Sequence, residues 1–283
     1  MSIVVTGATG QLGHLVVEAL LDRGVPASEI TAVGRSTDKL ADLADRGVTV
    51  MAADYTDPAS LDAAFAGADS VLLVSSNDFN DRPGQHRNAI DAAKRAGVSR
   101  LVYTSGPKAT TSSVLLLADH GTTENYLQES GLPSTALRNG WYVENYTAQW
   151  PTYREHGMVG SAGEGRVSLA PRSDFAEAAA VVLTTDGHEG KVYELGGEAV
   201  TLTELAAVFS DATGTKVEYT DVPVEALVGI LEGAGLPAPL ATVFADVDRG
   251  IAAGELFVDP ADLEELLGRP ATPVAEAVRS ALA

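Results

Sequence analysis

Glycines stand at every third position in the run Thr6-Gly7-Ala8-Thr9-Gly10-Gln11-Leu12-Gly13. That spacing suits the capture of a dinucleotide pyrophosphate. Gly7 permits a tight turn, Gly10 lets backbone N–H groups approach the phosphates, and Gly13 lets a following helix pack close to its strand. The helix N-terminus adds partial positive charge where the phosphates would sit. Glycines recur by chance, so the flanks carry the argument. Ile3-Val4-Val5 reads as a buried strand, and Leu12, Leu15, Val16, Ala19 and Leu20 recur at helical spacing. Strand, glycine turn and helix together predict a cradle formed by Gly7, Ala8, Thr9, Gly10, Gln11, Leu12 and Gly13.

Other residues of suitable type follow later strands. After the second strand come Gly34-Arg35-Ser36-Thr37, with no carboxylate at the strand end. An acid there would bind the ribose of NAD, whereas a guanidinium accommodates the 2′-phosphate of NADP, so Arg35 points to NADP(H). A solvated loop arginine is the alternative. Asp54 and Tyr55, after the third strand, stand where an adenine edge and face should lie; Tyr55 can equally be ordinary packing. Ser75, Ser76 and Asn77 follow the fourth strand, and Thr104 and Ser105 close the fifth. Ligands bind at such carboxyl ends in open α/β sheets, although polar strand caps are also common turn chemistry.

These positions need a frame. Strands are predicted at 3–5, 30–34, 48–52, 70–74, 101–104 and 134–138. Helices are predicted between them at about 37–46, from Asp57-Pro58, at about 84–96, and at about 117–130. This alternation predicts a Rossmann-type, doubly wound parallel sheet over 1–155. Beyond Pro151 the glycines at 157, 160, 163 and 165 break the rhythm. A helix near 174–185, a strand at 192–195 and helices near 203–213, 224–234, 239–252 and 261–267 follow. The expectation is a smaller, mostly helical substrate lobe over 156–283, with some segments returning to the first domain.

Composition narrows the function. The 283 residues carry a net charge of −20, which argues against nucleic acid or an anionic membrane as the main partner. There is no cysteine, so thiolate catalysis, disulfides and cysteine metal sites are excluded, and the five scattered histidines lack zinc-type spacing. No metal site is expected. The strand at residue 3 leaves no room for a signal peptide, and no apolar run reaches membrane-spanning length, so a cytoplasmic, soluble protein is expected.

The TGATGQLG run at 6–13, Arg35, ADY at 53–55, QHRN at 85–88, YTS at 103–105 and LRNGWY at 137–142 resemble the NmrA-like atypical short-chain dehydrogenase/reductases. The closest likeness is to the branch of the quinone reductases of type 2 and the triphenylmethane reductases. It continues through HEGKVYEL at 188–195 and LTELA at 202–206. The resemblance implies NADP(H), and a small-molecule quinone-like or aromatic acceptor. It further implies that Asn139, with Gly140 and Trp141, holds the nicotinamide end of the cofactor. Trp141, Tyr142 and Asn145 would then face the acceptor, and His120 would donate to a developing phenolate as the catalytic candidate. Against this, Trp141 can be a core aromatic, His120 a capping group, and Arg138 the structural partner of a carboxylate.

Two absences refine the reading. Ordinary short-chain dehydrogenases place lysine four residues after a catalytic tyrosine, but Tyr103, Tyr126 and Tyr142 are followed at that offset by Pro107, Ser130 and Tyr146. Direct hydride transfer to an electron-poor ring needs no such relay. Relatives often carry lysine after the glutamate of the fifth helix; here Glu124 is followed by Asn125. Two further readings compete: an NADP(H)-binding redox sensor acting through a protein partner, and an isoflavone-reductase-like enzyme whose lysine would have to be Lys108.

Overall fold

A computed structural model describes residues 1–78 and 80–283. The chain opens with β1 (Ile3–Val5), α1 (Gln11–Asp22), β2 (Ile30–Gly34), α2 (Ala41–Asp45), β3 (Thr49–Ala52) and α3 (Pro58–Phe65). Then come β4 (Ser70–Leu73), α4 (Arg82–Ala96), β5 (Arg100–Ser105), α5 (Ala118–Ser130) and β6 (Ser134–Asn139). β7 (Trp141–Tyr142), α6 (Glu144–Thr147), α7 (Trp150–His156), β8 (Met158–Gly160) and β9 (Arg166–Ala170) precede α8 (Arg172–Thr184) and β10 (Val192–Leu195). The remainder holds β11 (Glu198–Thr201), α9 (Leu202–Thr213), β12 (Tyr219–Asp221), α10 (Val224–Gly233), α11 (Ala238–Ala252), α12 (Ala261–Leu267) and α13 (Val274–Leu282).

The chain divides into two compact units. The first comprises 1–106, 119–138 and 172–193; the second comprises 107–118, 139–171 and 194–283. In the first, seven strands lie in the order β10-β6-β5-β4-β1-β2-β3. β1 pairs in parallel with both β2 and β4, so the strand order reverses beside β1, where a doubly wound sheet opens its ligand crevice. Helices cover both faces, which is why β1, β4 and β5 are buried at every position. Asp57 caps α3 by accepting from the Ala59 N–H, with Pro58 in the first turn as expected. α4 begins at Arg82 rather than near 84, because Asp81 caps it and Pro83 is accommodated in its first turn. The polar stretch predicted as one helix at 37–46 splits into a 3₁₀ turn at Thr37–Leu40 and the short α2.

The second unit keeps the helices expected near 203–213, 224–234, 239–252 and 261–267 and adds strands that its sequence does not announce, whereas the helix expected near 174–185 lies in the first unit as α8. β11-β9-β7 form a three-stranded sheet, with β9 antiparallel to β11 and parallel to β7; β8 pairs in parallel with β12. Its core gathers Val143, Leu169, Leu205, Phe209 and Ile251 among others. The terminal helix α13, absent from the sequence reading, buries Val274, Ala277 and Val278 at helical spacing. No helix among the described residues is long and apolar enough to cross a membrane.

Candidate functional site

β1 ends in a hub rather than a bare turn. The Thr6 hydroxyl donates to the Leu72 carbonyl at 2.9 Å and accepts from the Val74 N–H at 3.0 Å. The Tyr55 hydroxyl donates to the Val74 carbonyl at 2.7 Å and lies 2.6 Å from Thr6 Oγ1. β1, β4 and the loop after β3 are thereby tied together beneath the glycine turn. Gly7 is left-handed, at φ 61°. The Gly10 N–H closes the turn onto the Gly7 carbonyl at 2.9 Å. Gly10 is the N-cap of α1 and offers no side-chain cap, and no acid stands in the first turn. The N–H groups of Gln11, Leu12 and Gly13 are thus presented to whatever anion arrives. A Cβ on Gly13 would lie 2.5 Å from the Gly7 carbonyl oxygen, so glycine is what allows the helix to start there. Ala8 contributes differently: it is fully buried, and its N–H donates to the Val33 carbonyl at 2.9 Å.

Beside this turn, Arg35 is exposed at the end of β2 and makes no hydrogen bond or ion pair to a described residue. Gly34 precedes it because the Thr9 side chain lies where a Cβ would point. Asp54 is held below the ordinary carboxylate range, chiefly by the Thr56 N–H, with the Thr56 hydroxyl and the Arg35 charge adding to it. Asp78 is lowered mainly by the Asn80 N–H, and Arg35 again contributes. Arg35 therefore faces a loop edge bearing two carboxylates. Tyr55, expected at the adenine face, has its hydroxyl committed to the Thr6 hub.

At the carboxyl ends of β4 and β5 the serines are themselves restrained. The Ser75 N–H donates to Thr104 Oγ1 at 2.9 Å, and the Ser76 N–H donates to His86 Nε2 at 2.9 Å. The Ser76 hydroxyl donates to Gln85 Oε1 at 2.7 Å, while Arg82 Nε donates to the Ser76 carbonyl at 2.8 Å. Asn77 is exposed. The Ser105 hydroxyl donates to Glu124 Oε1 at 2.5 Å, and Arg138 grips both oxygens of that carboxylate, Nε at 3.0 Å and Nη2 at 2.6 Å. The structural reading of Arg138 is the one observed. Ser105 is likewise spent on this pair, which anchors α5 to β5 and β6.

His120 stands three residues into α5, half-buried, with its Nδ1 2.8 Å from the Tyr103 hydroxyl. Tyr103 is fully buried and its hydroxyl is pushed upward by burial. Burial, with Arg82 nearby, pushes His86 down to about 3; His120 is pushed to about 3 by the same causes, with His86 adding to them. Both rings are therefore neutral near pH 7. The unfolded chain binds their protons near pH 6.5 while the native chain does not, so native stability present at pH 7 is lost as pH falls from about 6.5 toward 3. Asp248 in the second unit, raised to about 6 by burial, acts in the opposite sense. The clean measurement is the difference between native and His86→Gln proteins in urea unfolding across pH 7 to 5. The native protein should lose about 1.4 kcal/mol more per pH unit below 6; parallel curves would show that His86 is not a buried neutral group.

In the second unit, Asn139 is 4% exposed; its amide donates to the Tyr142 hydroxyl at 3.3 Å and its Oδ1 is buried without a hydrogen-bond partner among the described residues. Buried acceptors are rarely left so. Gly140 donates to the Leu195 carbonyl at 2.8 Å, and a Cβ there would lie 2.8 Å from that same oxygen, so its glycine serves close strand packing. Trp141 is half-buried and packs against the core while pairing with Leu169 on β9. Tyr142 and Asn145 are half-buried. Lys108, the lysine demanded by the isoflavone-reductase reading, donates from Nζ to the Gly254 carbonyl at 3.0 Å and adopts φ 50°.

The roles of Tyr103, His86, Arg82 and Thr123 escaped the sequence reading, yet a signal existed. The buried stripe of α4 runs Arg82, Gln85, His86, Ala89, Ile90, Ala93, polar in its first turn and apolar afterwards. On α5, His120, Thr123, Glu124 and Leu127 repeat that pattern at the same spacing. An inward stripe that turns polar at the strand carboxyl ends marks the wet end of the core.

The sequence profile of the NmrA-like family matches residues 1–265. Quinone oxidoreductase 2 of Escherichia coli (strain K12) is 47% identical over 278 residues, covering 98% of this chain and 97% of that protein. The crystal structure of the E. coli NADPH-dependent quinone oxidoreductase complexed with NADPH superposes with a TM-score of 0.95 at 46% identity, over 99% of this chain and 100% of that one. Triphenylmethane reductase of Citrobacter sp., complexed with NADP(H), does so with a TM-score of 0.92 at 38% identity, over 99% of this chain and 100% of that one.

Proposed function

From a chain that belongs to the NmrA-like family and carries this glycine turn, we propose an NADPH-dependent reductase that passes hydride directly to a quinone or a similar conjugated acceptor. The observation that carries the reading is the set of unspent groups matching such a cofactor. The first N–H groups of α1 lack a side-chain cap, Arg35 makes no hydrogen bond or ion pair to a described residue, and the buried Asn139 Oδ1 has no donor among the described residues. The α1 N-terminus would take the pyrophosphate, with Thr9, Gly10 and Gln11 lining the approach, and Arg35 the 2′-phosphate. Asp54 would border the adenine and the carboxyl ends of β4 and β5 the nicotinamide half. Asn139 would accept from the carboxamide. Bound there, the cofactor supplies a hydride. The likeness to a quinone oxidoreductase and a triphenylmethane reductase supports the acceptor class.

The chain's own task is then positioning and charge stabilisation. No lysine stands four residues beyond a candidate tyrosine to relay protons. A quinone that has accepted hydride needs a donor for its phenolate oxygen, and His120 is the candidate. Trp141, Tyr142 and Asn145 are the residues proposed to face the acceptor.

The test is NADPH oxidation, followed by absorbance, with simple quinones and a cationic triphenylmethane dye, alongside calorimetric binding of NADPH and NADH. Turnover favouring NADPH upholds the reading. Tight NADPH binding without turnover on any acceptor would replace it with the redox sensor acting through a protein partner. Arg35→Ala should weaken NADPH binding by about 2–3 kcal/mol, roughly 30- to 150-fold, and leave NADH nearly unaffected. Equal losses for both cofactors would remove the 2′-phosphate role.

A further inference from the structure

Two histidines and a tyrosine meet at the carboxyl end of β5, and their hydrogen bonds leave few places for protons. His86 Nε2 accepts from the Ser76 N–H at 2.9 Å, so the proton of this neutral ring is on Nδ1. That Nδ1–H points to Thr123 Oγ1 at 2.8 Å, and the Thr123 hydroxyl donates onward to the Asp119 carbonyl at 2.8 Å. Tyr103 lies 3.4 Å from the same nitrogen, whose lone pair is gone, so its hydroxyl proton cannot go there. Thr123 and Ser75 also neighbour that hydroxyl, but its short contact is with His120 Nδ1, at 2.8 Å, and the proton is assigned there. A ring accepting at Nδ1 carries its proton on Nε2. The His120 Nε2 makes no hydrogen bond to a described residue, and the ring is half-buried rather than sealed.

We infer that Tyr103 is a positioning residue: it locks His120 in the Nε2–H tautomer, so that this neutral N–H serves as the hydrogen-bond donor to the oxygen of a quinone acceptor. The inference rests on the proposed reductase activity and names its acceptor class. The acceptor gains one proton and two electrons as hydride from the reduced nicotinamide, which is oxidised by the same two electrons. One quinone oxygen is left as phenolate, and water protonates it after release. His120 keeps its proton throughout. A cationic dye is merely neutralised by hydride and builds no oxygen charge, so it has no use for this donor. Quinone and dye turnover should therefore respond differently to the same substitution.

The experiment pairs long-range ¹H–¹⁵N spectra of the cofactor-free protein near neutral pH with steady-state NADPH oxidation using 1,4-benzoquinone and a cationic triphenylmethane dye. His120 should show the Nε2–H pattern in the native chain and a mixture in Tyr103→Phe. The quinone-to-dye ratio of kcat should fall up to about tenfold in Tyr103→Phe and about 100-fold in His120→Ala. His120→Gln keeps an amide N–H and should recover part of that loss. In the His120→Gln background, adding Tyr103→Phe should not change the ratio further. An Nδ1–H or imidazolium pattern in the native chain overturns the lock, as does a Tyr103→Phe protein in which quinone and dye rates fall together. If the native protein reduces neither acceptor, the reductase reading fails; the spectra still uphold or overturn the lock.

Discussion

Gly13→Val is expected to abolish measurable NADPH binding and to destabilise the first unit, whereas Gly10→Ala should leave the fold nearly intact. A Cβ at residue 13 would stand 2.5 Å from the Gly7 oxygen, 2.7 Å from the Gly7 carbonyl carbon and 3.0 Å from the Ala8 Cα. All three are backbone atoms, and two belong to a residue already held at φ 61°. Nothing there can rotate away, so the first turn of α1 must lift off the strand. Overpacking of this kind costs about 1–3 kcal/mol or more. The displaced turn also withdraws N–H groups from the phosphates; two charge-assisted hydrogen bonds at about 1.5 kcal/mol or more each amount to at least 100-fold in affinity. At residue 10 a Cβ would meet only the Gly7 oxygen, at 3.3 Å, from an extended backbone that alanine adopts freely. Calorimetry with NADPH and urea unfolding of both variants check the contrast. Equal stability of the two would mean that helix and strand do not need this closeness.

The second large effect is expected at the Glu124–Arg138 pair. The two side chains are 9% and 13% exposed, their charges joined at 2.6 Å. Arg138→Met leaves the Glu124 carboxylate buried, with the Ser105 hydroxyl still donating to it. Removing one partner from a buried ion pair costs about 3–5 kcal/mol. The double substitution Glu124→Leu with Arg138→Met should recover most of that loss, because no charge is then left stranded. Urea midpoints of the two single variants and the double variant close the cycle. A double variant as unstable as the single ones would assign the pair's value to packing rather than to charge. Quinone turnover should fall in Arg138→Met as well, since His120 lies one helical turn before Glu124 on the helix that this pair anchors.

Much of the architecture was readable from local patterns. The apolar runs of β1, β4 and β5, the Asp57-Pro58 start of α3 and the glycine spacing all act through neighbouring residues. The second unit was harder. β9 is five residues long and β7 only two, and each is a strand because of a partner far away in sequence: Trp141 beside Leu169, Glu198 beside the same Leu169. Short strands carry too little periodicity to declare themselves. α13 was missed because its nine residues leave only Val274, Ala277 and Val278 to mark a buried stripe.

At the candidate site the same division holds residue by residue. Arg35 and the glycine turn were legible because a cation at the end of β2 and a left-handed backbone at Gly7 are properties of the chain at those positions. Tyr55 as a strut, Ser105 as a donor to Glu124, and the Ser76–His86–Thr123 chain beside Tyr103 and His120 were not. Their partners lie 49, 19, 10, 37 and 17 residues away. Conformational preference and hydrophobic period are encoded locally, and they specify which elements form and which face turns inward. Which buried hydroxyl meets which ring nitrogen depends on how sheet and helices pack, because a buried polar group takes whatever partner the packed interior brings within reach. The glycine turn and the alternating elements were thus written in the order of the residues; the proton positions around His120 exist only once β4, β5, α4 and α5 have come together.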